Sequence, residues 1–553
     1  MTPEEAQATV LGPGGDFEIV RENVLGTDLP VFTNRRRALG ELLDQAAERY
    51  GEAEHLVYQN RRISFAEHRE IARACAAGLR DRYGITGGDR VAILGANSPD
   101  WLHAFWGTTL AGGVTAALNG WWTQSEIEYG LELSQPKLLI GDHRRLARLD
   151  RDPGIPVLEI ESDMAGLVEA YRGVEPPTVE VDEDDPALIL FTSGTTGFPK
   201  GALLSHRCCI GFTDIPEAST AVQLASLGVD ASAVPRMSIL VTAPMFHVSG
   251  VLAIGVLAML QGSKCVMRPG AFDPEAALEL IQEERITMWA ALGASGPRVA
   301  RHPRLADYNT SSVSRIGFGG APTSPAIQDL MREAFPNAAH SMGTAYGLSE
   351  STAMGTMIGG PDYEAFPESV GRASPTIEVE IRDDQDRPVA EGQKGEVHLR
   401  SAYIMLGYWR NDEATNKTVK ADRWLATGDV GHLEDGRLFI HSRDRDLILR
   451  SAENIYPAEI ENRLESHDRV AEAAVIGVDH PEHGQEVKAV IVPVPGDALD
   501  VETLETWCRE TLAGFKIPTV WEFRAELLPR NASGKVLKTV LKGEIEEREA
   551  GDA

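Results

Sequence analysis

Short apolar runs alternate with helical stretches through the first half of the chain, and this alternation limits the fold more than any other feature. Residues 90–94 (RVAIL) and 114–118 (VTAAL) are predicted strands, and residues 101–110 between them form a predicted helix. Similar apolar runs follow at residues 137–141, 187–191, 238–242 and 285–290. Repeats of strand, helix and strand predict an α/β fold with helices covering a parallel sheet.

The length and the later part of the chain predict more than one domain. A chain of 553 residues is too long for a single hydrophobic core. After residue 445 the pattern changes to shorter elements, predicted at residues 457–466, 471–478, 486–494, 504–512 and 520–523. We therefore expect a large multi-sheet N-terminal domain, residues 1–444, and a small α+β C-terminal domain, residues 445–553.

Charge and cysteine content exclude several classes of partner and compartment. The formal net charge of -30 would repel nucleic acids and anionic membranes. The five cysteines show no CxxC spacing, which argues against a disulfide framework or a zinc site. Residues 1–5 lack the basic start and apolar core of a signal peptide, so we do not expect export. Residues 237–260 lack charged side chains, but Pro244 interrupts them, so we expect a buried strand and a core helix, not a membrane span. A cytoplasmic protein is predicted.

Residues 191–201 (FTSGTTGFPKG) have the composition of a loop that holds a polyphosphate. Three glycines allow the backbone to approach an anion, four hydroxyls donate hydrogen bonds, and one lysine supplies positive charge. The loop is not a Walker P-loop, because Pro199 and Gly201 occupy positions where that motif needs glycine and a metal-binding hydroxyl. An ordinary surface turn is the alternative. The predicted phosphate-binding residues are Thr192, Ser193, Gly194, Thr195, Thr196, Gly197 and Lys200.

This loop resembles the TSGTTG-x-PKG loop of the adenylate-forming superfamily, which includes acyl-CoA synthetases, luciferases and the adenylation domains of peptide synthetases. Further stretches match that family in the same order: residues 344–350 (TAYGLSE), 427–429 (TGD), 443–446 (RDRD) and 531–535 (NASGK). The resemblance covers nearly the whole chain. It implies a mobile C-terminal domain, joined to the N-terminal domain by a hinge at Arg445.

The resemblance assigns a role to each matched residue. Tyr346 would stack on adenine, Ser349 would touch the α-phosphate, and Glu350 would bind Mg²⁺, a hard cation that prefers carboxylate ligands. Asp429 and Arg443 would bind the ribose. Lys535 would be the catalytic lysine. The nucleotide-binding set beyond the phosphate loop therefore includes Tyr346, Gly347, Ser349, Asp429 and Arg443. We add Gly320, Ala321 and Pro322, because a glycine-rich stretch after an apolar strand lets the backbone approach a flat ligand, although such a stretch alone is only a turn.

Two stretches bear on the acid that would be activated. Residues 243–250 resemble the family's acyl-pocket stretch, in which His247 would act as a gate or as a neighbour of the carboxylate; a lone histidine in an apolar run is otherwise a core residue. No acidic residue lies between Val241 and Gln261, which disfavours an α-amino acid substrate. Small residues at 292–296 would leave room for a bulky or long apolar acid.

The resemblance implies an ATP-dependent carboxylate–CoA ligase that uses ATP, Mg²⁺ and CoA. Fatty, alicyclic and aryl acids all remain open as substrates. A homodimer is also left open. A stand-alone adenylating enzyme that feeds a carrier protein is the alternative, because Ser442, Ser451 and Ala452 replace family glycines beside the expected pantetheine path. A luciferase-like oxygenase and a nucleotide sensor without turnover are more distant alternatives. Trp121 and Trp122 depart from the family pattern and are interpreted as packing or as pocket wall.

Overall fold

Strands and helices alternate through the first half of the chain, as the sequence predicts. The computed structural model describes residues 1–176, 178–192, 199–320, 323–443, 446–450, 453–481, 483–496, 499–532 and 534–544. In chain order the described strands are β1 (Ile19–Val24), β2 (Thr27–Phe32), β3 (Glu54–Tyr58), β4 (Arg61–Ser64), β5 (Arg90–Leu94), β6 (Val114–Ala117), β7 (Leu138–Gly141), β8 (Val157–Glu159), β9 (Pro186–Thr192), β10 (Lys200–Ser205), β11 (Ser238–Leu240), β12 (Lys264–Met267), β13 (Met288–Ala290), β14 (Arg315–Phe318), β15 (Met342–Tyr346), β16 (Thr356–Gly359), β17 (Ser369–Ala373), β18 (Glu378–Arg382), β19 (Gly395–Arg400), β20 (Gly407–Tyr408), β21 (Trp424–Glu434), β22 (Arg437–Arg443), β23 (Ile448–Arg450), β24 (Glu453–Ile455), β25 (Val470–His480), β26 (Gly484–Pro493) and β27 (Val520–Phe523).

The described α-helices cover the sheets and connect their strands. They are α1 (Pro3–Leu11), α2 (Leu39–Tyr50), α3 (Phe65–Tyr83), α4 (Pro99–Leu110), α5 (Gln124–Ser134), α6 (His143–Leu146), α7 (Ala165–Tyr171), α8 (His206–Leu227), α9 (Val248–Gly250), α10 (Pro274–Glu283), α11 (Ser295–Ala300), α12 (Pro325–Ala334), α13 (Pro361–Ala365), α14 (Asp412–Thr418), α15 (Pro457–Glu465), α16 (Val501–Arg509) and α17 (Lys538–Leu541). Side-chain caps begin several of them. Ser205, the N-cap of α8, accepts a hydrogen bond from the backbone N–H of Cys208 at 3.2 Å. α9 continues as a π-helix, Val251–Ala258, so residues 237–260 form a strand and a core helix as predicted.

Two large sheets form the first part of the molecule. One has seven strands in the order β20-β10-β9-β6-β5-β7-β8, and the other has thirteen in the order β18-β19-β21-β22-β17-β16-β15-β14-β13-β11-β12-β3-β4. β11, β12, β13, β14 and β15 run parallel to their neighbours in the second sheet, while β16 turns back antiparallel. One buried core joins both sheets, since it contains Val91 and Leu188 of the first and Leu56 and Cys265 of the second.

A third sheet belongs to the C-terminal part of the chain. It has the order β24-β23-β26-β25, with β27 paired to β26 in parallel, and it has its own buried core around Ile448, Val475 and Ile491. The predicted multi-sheet α/β fold with a small second unit is therefore confirmed. The predicted boundary falls at Asp444 and Arg445, which lie outside the described residues, so the division at that point and the hinge stay predictions. Among the described helices, none combines the length and apolar character needed to cross a bilayer.

Candidate active site

The carboxyl ends of four neighbouring parallel strands lie at one edge of the thirteen-stranded sheet. β11, β13, β14 and β15 end there, and the segments that follow them carry residues predicted from the sequence. They are His247 after β11, the small residues 292–296 after β13, Gly320 after β14, and Gly347 to Glu350 after β15. Ligands of open α/β sheets bind outside the carboxyl ends of strands, so the topology gathers these residues for binding.

The predicted phosphate loop joins two antiparallel strands. Thr192 ends β9 and pairs with Lys200, which begins β10, and the Thr192 hydroxyl donates to the Lys200 carbonyl at 3.4 Å. The loop therefore connects two strands and does not lead directly into a helix. Its other predicted ligands, Ser193, Gly194, Thr195, Thr196 and Gly197, lie outside the described residues, as do Ala321 and Pro322.

Tyr408 links the lysine of this loop to the predicted metal carboxylate. The Tyr408 hydroxyl donates to Oε1 of Glu350 at 2.7 Å, and the Lys200 ammonium lies 5.0 Å from the centre of the Tyr408 ring. Burial and then the charge of Glu350 raise the pKa of Tyr408, so its hydroxyl keeps the proton that it donates. The one-turn 3-10 helix Ser349–Ser351 presents Glu350 beside Ser349, and the backbone N–H of Met405 donates to the Glu350 carbonyl at 2.9 Å.

Tyr346, Asp429 and Arg443 form a second cluster, although they are far apart in the sequence. The Tyr346 hydroxyl donates to Oδ2 of Asp429 at 2.7 Å, and Nε of Arg443 lies 3.5 Å from Oδ1 of the same carboxylate. Asp429 and Arg443 are register partners on β21 and β22. Burial, followed by the charge of Asp429, raises the pKa of Tyr346 well above its usual value, so its phenol is a donor. The sequence analysis placed all three at one nucleotide, and the structure brings them into contact.

Gly320 and Gly347 both lie at this edge, and each position requires glycine for a different structural reason. Gly320 has a φ of +74°, a left-handed conformation that favours glycine, at the turn after β14. A side chain at Gly347 would collide with the backbone of Ala353, which folds back on the turn after β15. Gly347 is therefore required by packing of the chain on itself.

His247 begins the helical segment after β11. Its Nε2 is buried and has no hydrogen-bond partner among the described residues, and its ring centre lies 4.8 Å from that of Phe246. Burial lowers the pKa of His247 to about 4, so the imidazole is neutral at pH 7. Asn97 holds the preceding turn by donating to the Ala243 carbonyl and accepting from the Met245 N–H, both at 2.8 Å. A neutral, buried imidazole suits hydrogen bonding better than charge pairing.

The turn that carries Lys535 lies against the segment after β13. A Cβ built on Gly293, whose φ is +56°, would come within 2.6 Å of the Gly534 carbonyl oxygen and 2.7 Å of its Cα. The Lys535 N–H donates to Oδ1 of Asn531 at 2.9 Å, which closes the turn. The C-terminal unit is thus docked with its predicted lysine at the same sheet edge as His247 and Gly320. Gly293 makes room for the backbone of Gly534, a role that the sequence analysis did not foresee.

Comparison with protein-family models supports the same grouping. The model described as AMP-binding enzyme matches residues 43–409, and the model of the AMP-binding enzyme C-terminal domain matches residues 459–535. The chain belongs to the AMP-binding enzyme family. The resemblance to the adenylate-forming superfamily of acyl-CoA synthetases is confirmed, and with it the prediction that the protein is an enzyme.

Individual relatives of this AMP-binding enzyme align over most of its length. A feruloyl-CoA synthase of an Amycolatopsis species is 33% identical over 491 residues, 88% of this chain and 94% of the relative. A propanoyl:CoA ligase of Rhodococcus jostii, whose acid carries a methyl-dioxo-octahydroindenyl group, is 31% identical over 529 residues, 91% and 98% of the two chains. The crystal structure of ATP-bound MatB from Rhodopseudomonas palustris superposes with a TM-score of 0.79 at 27% identity, covering 91% of this chain and 98% of that one.

Two residues of this AMP-binding enzyme's site, Tyr408 and Asn97, were not predicted from the sequence. Tyr408 contacts Glu350 and Lys200. Asn97 gave a signal, as a polar residue directly after a buried strand, that was not used. Trp122 packs in the core with its ring centre 5.0 Å from that of Phe191, whereas Trp121 is 46% exposed, so the paired tryptophans divide between the core and the surface.

Proposed function

We propose that this AMP-binding enzyme is an ATP-dependent carboxylate–CoA ligase for apolar acids. The substrate carboxylate attacks the α-phosphorus of ATP, the bond to pyrophosphate breaks, and an acyl-adenylate forms. The thiol of CoA then attacks the acyl carbon, and AMP leaves with the bonding electron pair. The relatives that are CoA synthases or ligases support both steps.

Contact between Gly534 and Gly293 is the observation that carries the proposal. It supports a docked lysine at the edge where the strands of the larger sheet end. Two negative groups must meet there, and their repulsion, about 1 kcal/mol at 4 Å in water, grows severalfold in a partly dried site. Lys535 supplies fixed positive charge between the carboxylate and the α-phosphate, where negative charge develops in the transition state.

The Tyr346, Asp429 and Arg443 cluster is suited to hold the nucleoside. Asp429 is only 5% exposed, and among the described residues each of its oxygens has one contact, which leaves a lone pair on each for a ribose hydroxyl. We propose that Tyr346 covers the adenine while its hydroxyl orients Asp429. Ser349 and the donors of the phosphate loop would then face the phosphates.

Glu350 fits the role of magnesium ligand. Its Oε1 accepts from Tyr408, and within the described residues its Oε2 accepts no hydrogen bond, so a hard carboxylate oxygen is available. A bound Mg²⁺ would neutralise phosphate charge and orient the pyrophosphate leaving group. Tyr408 keeps the carboxylate oriented, and Lys200, beside the Tyr408 ring, adds positive charge on the phosphate side.

The substrate is proposed to be a bulky apolar acid. The segment from β11 through the π-helix carries no acidic side chain that could hold an ammonium group, and His247 is neutral there. The relatives that couple feruloyl and octahydroindenyl-propanoyl groups to CoA support a ring-bearing acid. A buried imidazole nitrogen with no partner among the described residues would accept or donate one hydrogen bond to the acid.

Movement of the C-terminal unit about Arg445 is proposed to separate the two steps. The docked orientation would serve adenylation, and a rotated one would withdraw Lys535 and admit the pantetheine arm of CoA. Ser442 stands on β22 with its hydroxyl buried and without a partner in the described residues, while Ser451 and Ala452 lie outside them. Delivery to a carrier protein therefore stays the alternative.

The buried state of all five cysteines, present as thiols, supports a reducing compartment, which we propose is the cytoplasm.

The proposal is tested with a panel of aryl, alicyclic and fatty acids incubated with ATP, Mg²⁺ and CoA and read by mass spectrometry. We expect acyl-CoA, AMP and pyrophosphate from at least one ring-bearing acid, and no acyl-CoA from α-amino acids. Acyl-adenylate that persists in the presence of CoA would contradict the ligase step and favour a carrier protein as acceptor. ATP binding without pyrophosphate exchange for any acid would contradict the enzyme assignment.

A further inference from the structure

A β-bulge in the C-terminal unit connects the docking contact to the turn that carries Lys535. β25 pairs with β26 through Val470 opposite Pro493 and Glu472 opposite Val492, so Ala471 is an extra residue in the ladder. The Ala471 carbonyl accepts a hydrogen bond from Nη1 of Arg301, which belongs to the first part of the chain, at 3.2 Å. Bulges re-aim side chains and are frequent beside active sites.

Glu472, the residue after Ala471, contacts the segment that leads to the turn carrying Lys535. Its side chain is almost fully buried, Oε2 accepts from the Leu528 N–H at 3.0 Å, and Oε1 lies 3.3 Å from Nη2 of Arg530. Nη1 of Arg530 donates to the Gly534 carbonyl at 2.8 Å. A continuous path of polar contacts therefore runs from Glu472 through Arg530 to the residue before Lys535.

The same Gly534 carbonyl meets Gly293 across the docked surface. Arg301 and Gly293 lie on one side of that surface, and the bulge and the lysine turn lie on the other. Nε of Arg530 is buried and has no partner among the described residues, so Glu472 and the Gly534 carbonyl fix the guanidinium. A guanidinium held by one oxygen of a buried carboxylate and by one backbone carbonyl has little freedom to move.

We propose that Glu472 and Arg530 are positioning residues for Lys535, and that the bulge ties the placement of the lysine to docking of the C-terminal unit. This inference rests on the proposed role of Lys535 in adenylation. Neither residue touches substrate. Both act through the backbone of the lysine turn, so they matter for adenylation and are dispensable when the lysine is withdrawn for the CoA step.

Glu472→Gln and Arg530→Met test the inference, with both half-reactions measured separately. We expect adenylation, followed as ATP–pyrophosphate exchange, to slow by about 10- to 100-fold, because a displacement near 1 Å at a catalytic group costs up to about 10²-fold. Transfer from preformed acyl-adenylate to CoA should stay within about twofold of the wild-type rate. Glu522→Gln, which breaks an ion pair with Lys488 in the same sheet, is the matched control and should leave both rates unchanged.

A double-mutant cycle with Lys535→Ala separates positioning from general stability. We expect Glu472→Gln to have no further effect on adenylation once the lysine side chain is absent. Additive losses of adenylation rate in the double mutant, or equal losses of rate in both half-reactions, would overturn the inference. If Glu472→Gln fails to fold, Arg530→Met, at a less buried site, provides the test. If adenylation is slow in Lys535→Ala but fast in Glu472→Gln and Arg530→Met, only this inference is contradicted. If adenylation is unchanged in Lys535→Ala, the proposed function and the inference are both contradicted.

Discussion

Single residues at the sheet edge act through contacts that their sequence motifs do not reveal. Gly293 was interpreted as space for the acid, but its backbone touches Gly534 of the docked turn. Gly293→Ala should slow adenylation by about 10²-fold, because a Cβ would displace the lysine turn. The CoA half-reaction should be retained. Both rates are measured by rapid quench, with Gly166→Ala, whose Cβ meets open space, as the control; an unchanged adenylation rate would contradict the docked contact.

Tyr408 gives a second prediction at the same scale. Tyr408→Phe removes the hydroxyl that donates to Glu350, and a hydrogen bond to a charged group is worth about 1.5–3 kcal/mol. The Mg²⁺ concentration that half-saturates pyrophosphate exchange should rise about tenfold, with little change in KM for the acid. Titration of Mn²⁺ into the ATP complex, followed by electron paramagnetic resonance, measures the same change without turnover.

The control for Tyr408→Phe is Tyr308→Phe. Tyr308 makes a similar hydroxyl–carboxylate bond to Glu275 at 3.0 Å, away from the candidate site. Equal metal affinity in Tyr408→Phe and the wild-type enzyme would show that Glu350 does not need this support, or that it is not the metal ligand.

At the scale of elements, β3, α3 and α4 enclose a row of buried histidines. His55 lies with its ring centre 5.2 Å from that of His68, which lies 5.1 Å from that of His103, and all three are fully buried. Nδ1 of His55 contacts the Ser263 carbonyl at 3.0 Å and must carry the proton. Burial lowers the pKa of His55 to about 4 and that of His68 well below its usual value, so both are neutral in the folded protein.

This row predicts loss of stability in mild acid. Unfolded histidines titrate near pH 6.5, so the unfolded chain binds more protons than the folded one below that pH. The contribution of His55 and His68 to stability is therefore fully present above about pH 6.5 and is lost as the pH falls towards 4. Between pH 6 and 5 the free energy of unfolding should fall less steeply in His68→Leu than in the wild-type protein, by about 1.4 kcal/mol per pH unit. Urea unfolding at each pH measures this free energy, with the exposed-site variant His340→Gln as the control. If its slope against pH in His68→Leu equals that of the wild type and of the control, the neutral state of His68 is contradicted.

Elements were predictable where a local pattern determined them. β5 and β27 have the predicted bounds, because each is a short run of mainly apolar residues with different patterns on either side. The π-helix Val251–Ala258 was expected only as a helix, since an all-apolar run has no periodicity to distinguish helix types. The hairpin of β1 and β2 was not foreseen, because its strands bury only part of one face.

Contacts between distant elements could not be read from the chain. The family motifs identified Tyr346, Asp429 and Arg443 as partners of one nucleotide. The hydrogen bond between Tyr346 and Asp429, however, joins β15 to β21, which are not neighbouring strands of the sheet. Glu472 and Arg530 gave no motif at all, because their pairing depends on a bulge. Order along the chain predicted which residues matter, whereas register and packing determined what they touch.

At the scale of the whole molecule, two units meet at a surface that includes a catalytic candidate. Arg301 contacts the Ala471 carbonyl, Asn462 donates to Glu368 at 3.1 Å, and Gly534 lies against Gly293. Polar contacts of this kind suit a surface that the proposed rotation would form and separate in each cycle. The proposed mechanism therefore requires that Lys535 acts in adenylation, while the units are docked, and takes no part in the transfer to CoA.

Single-turnover measurement of both half-reactions in Lys535→Ala tests that requirement most directly, with Lys542→Ala as the control. The account predicts that adenylation slows by about 10²- to 10³-fold, the usual cost of one preorganised donor, while acyl transfer from preformed adenylate to CoA proceeds at the wild-type rate. Equal loss in both half-reactions, or wild-type adenylation, would contradict it.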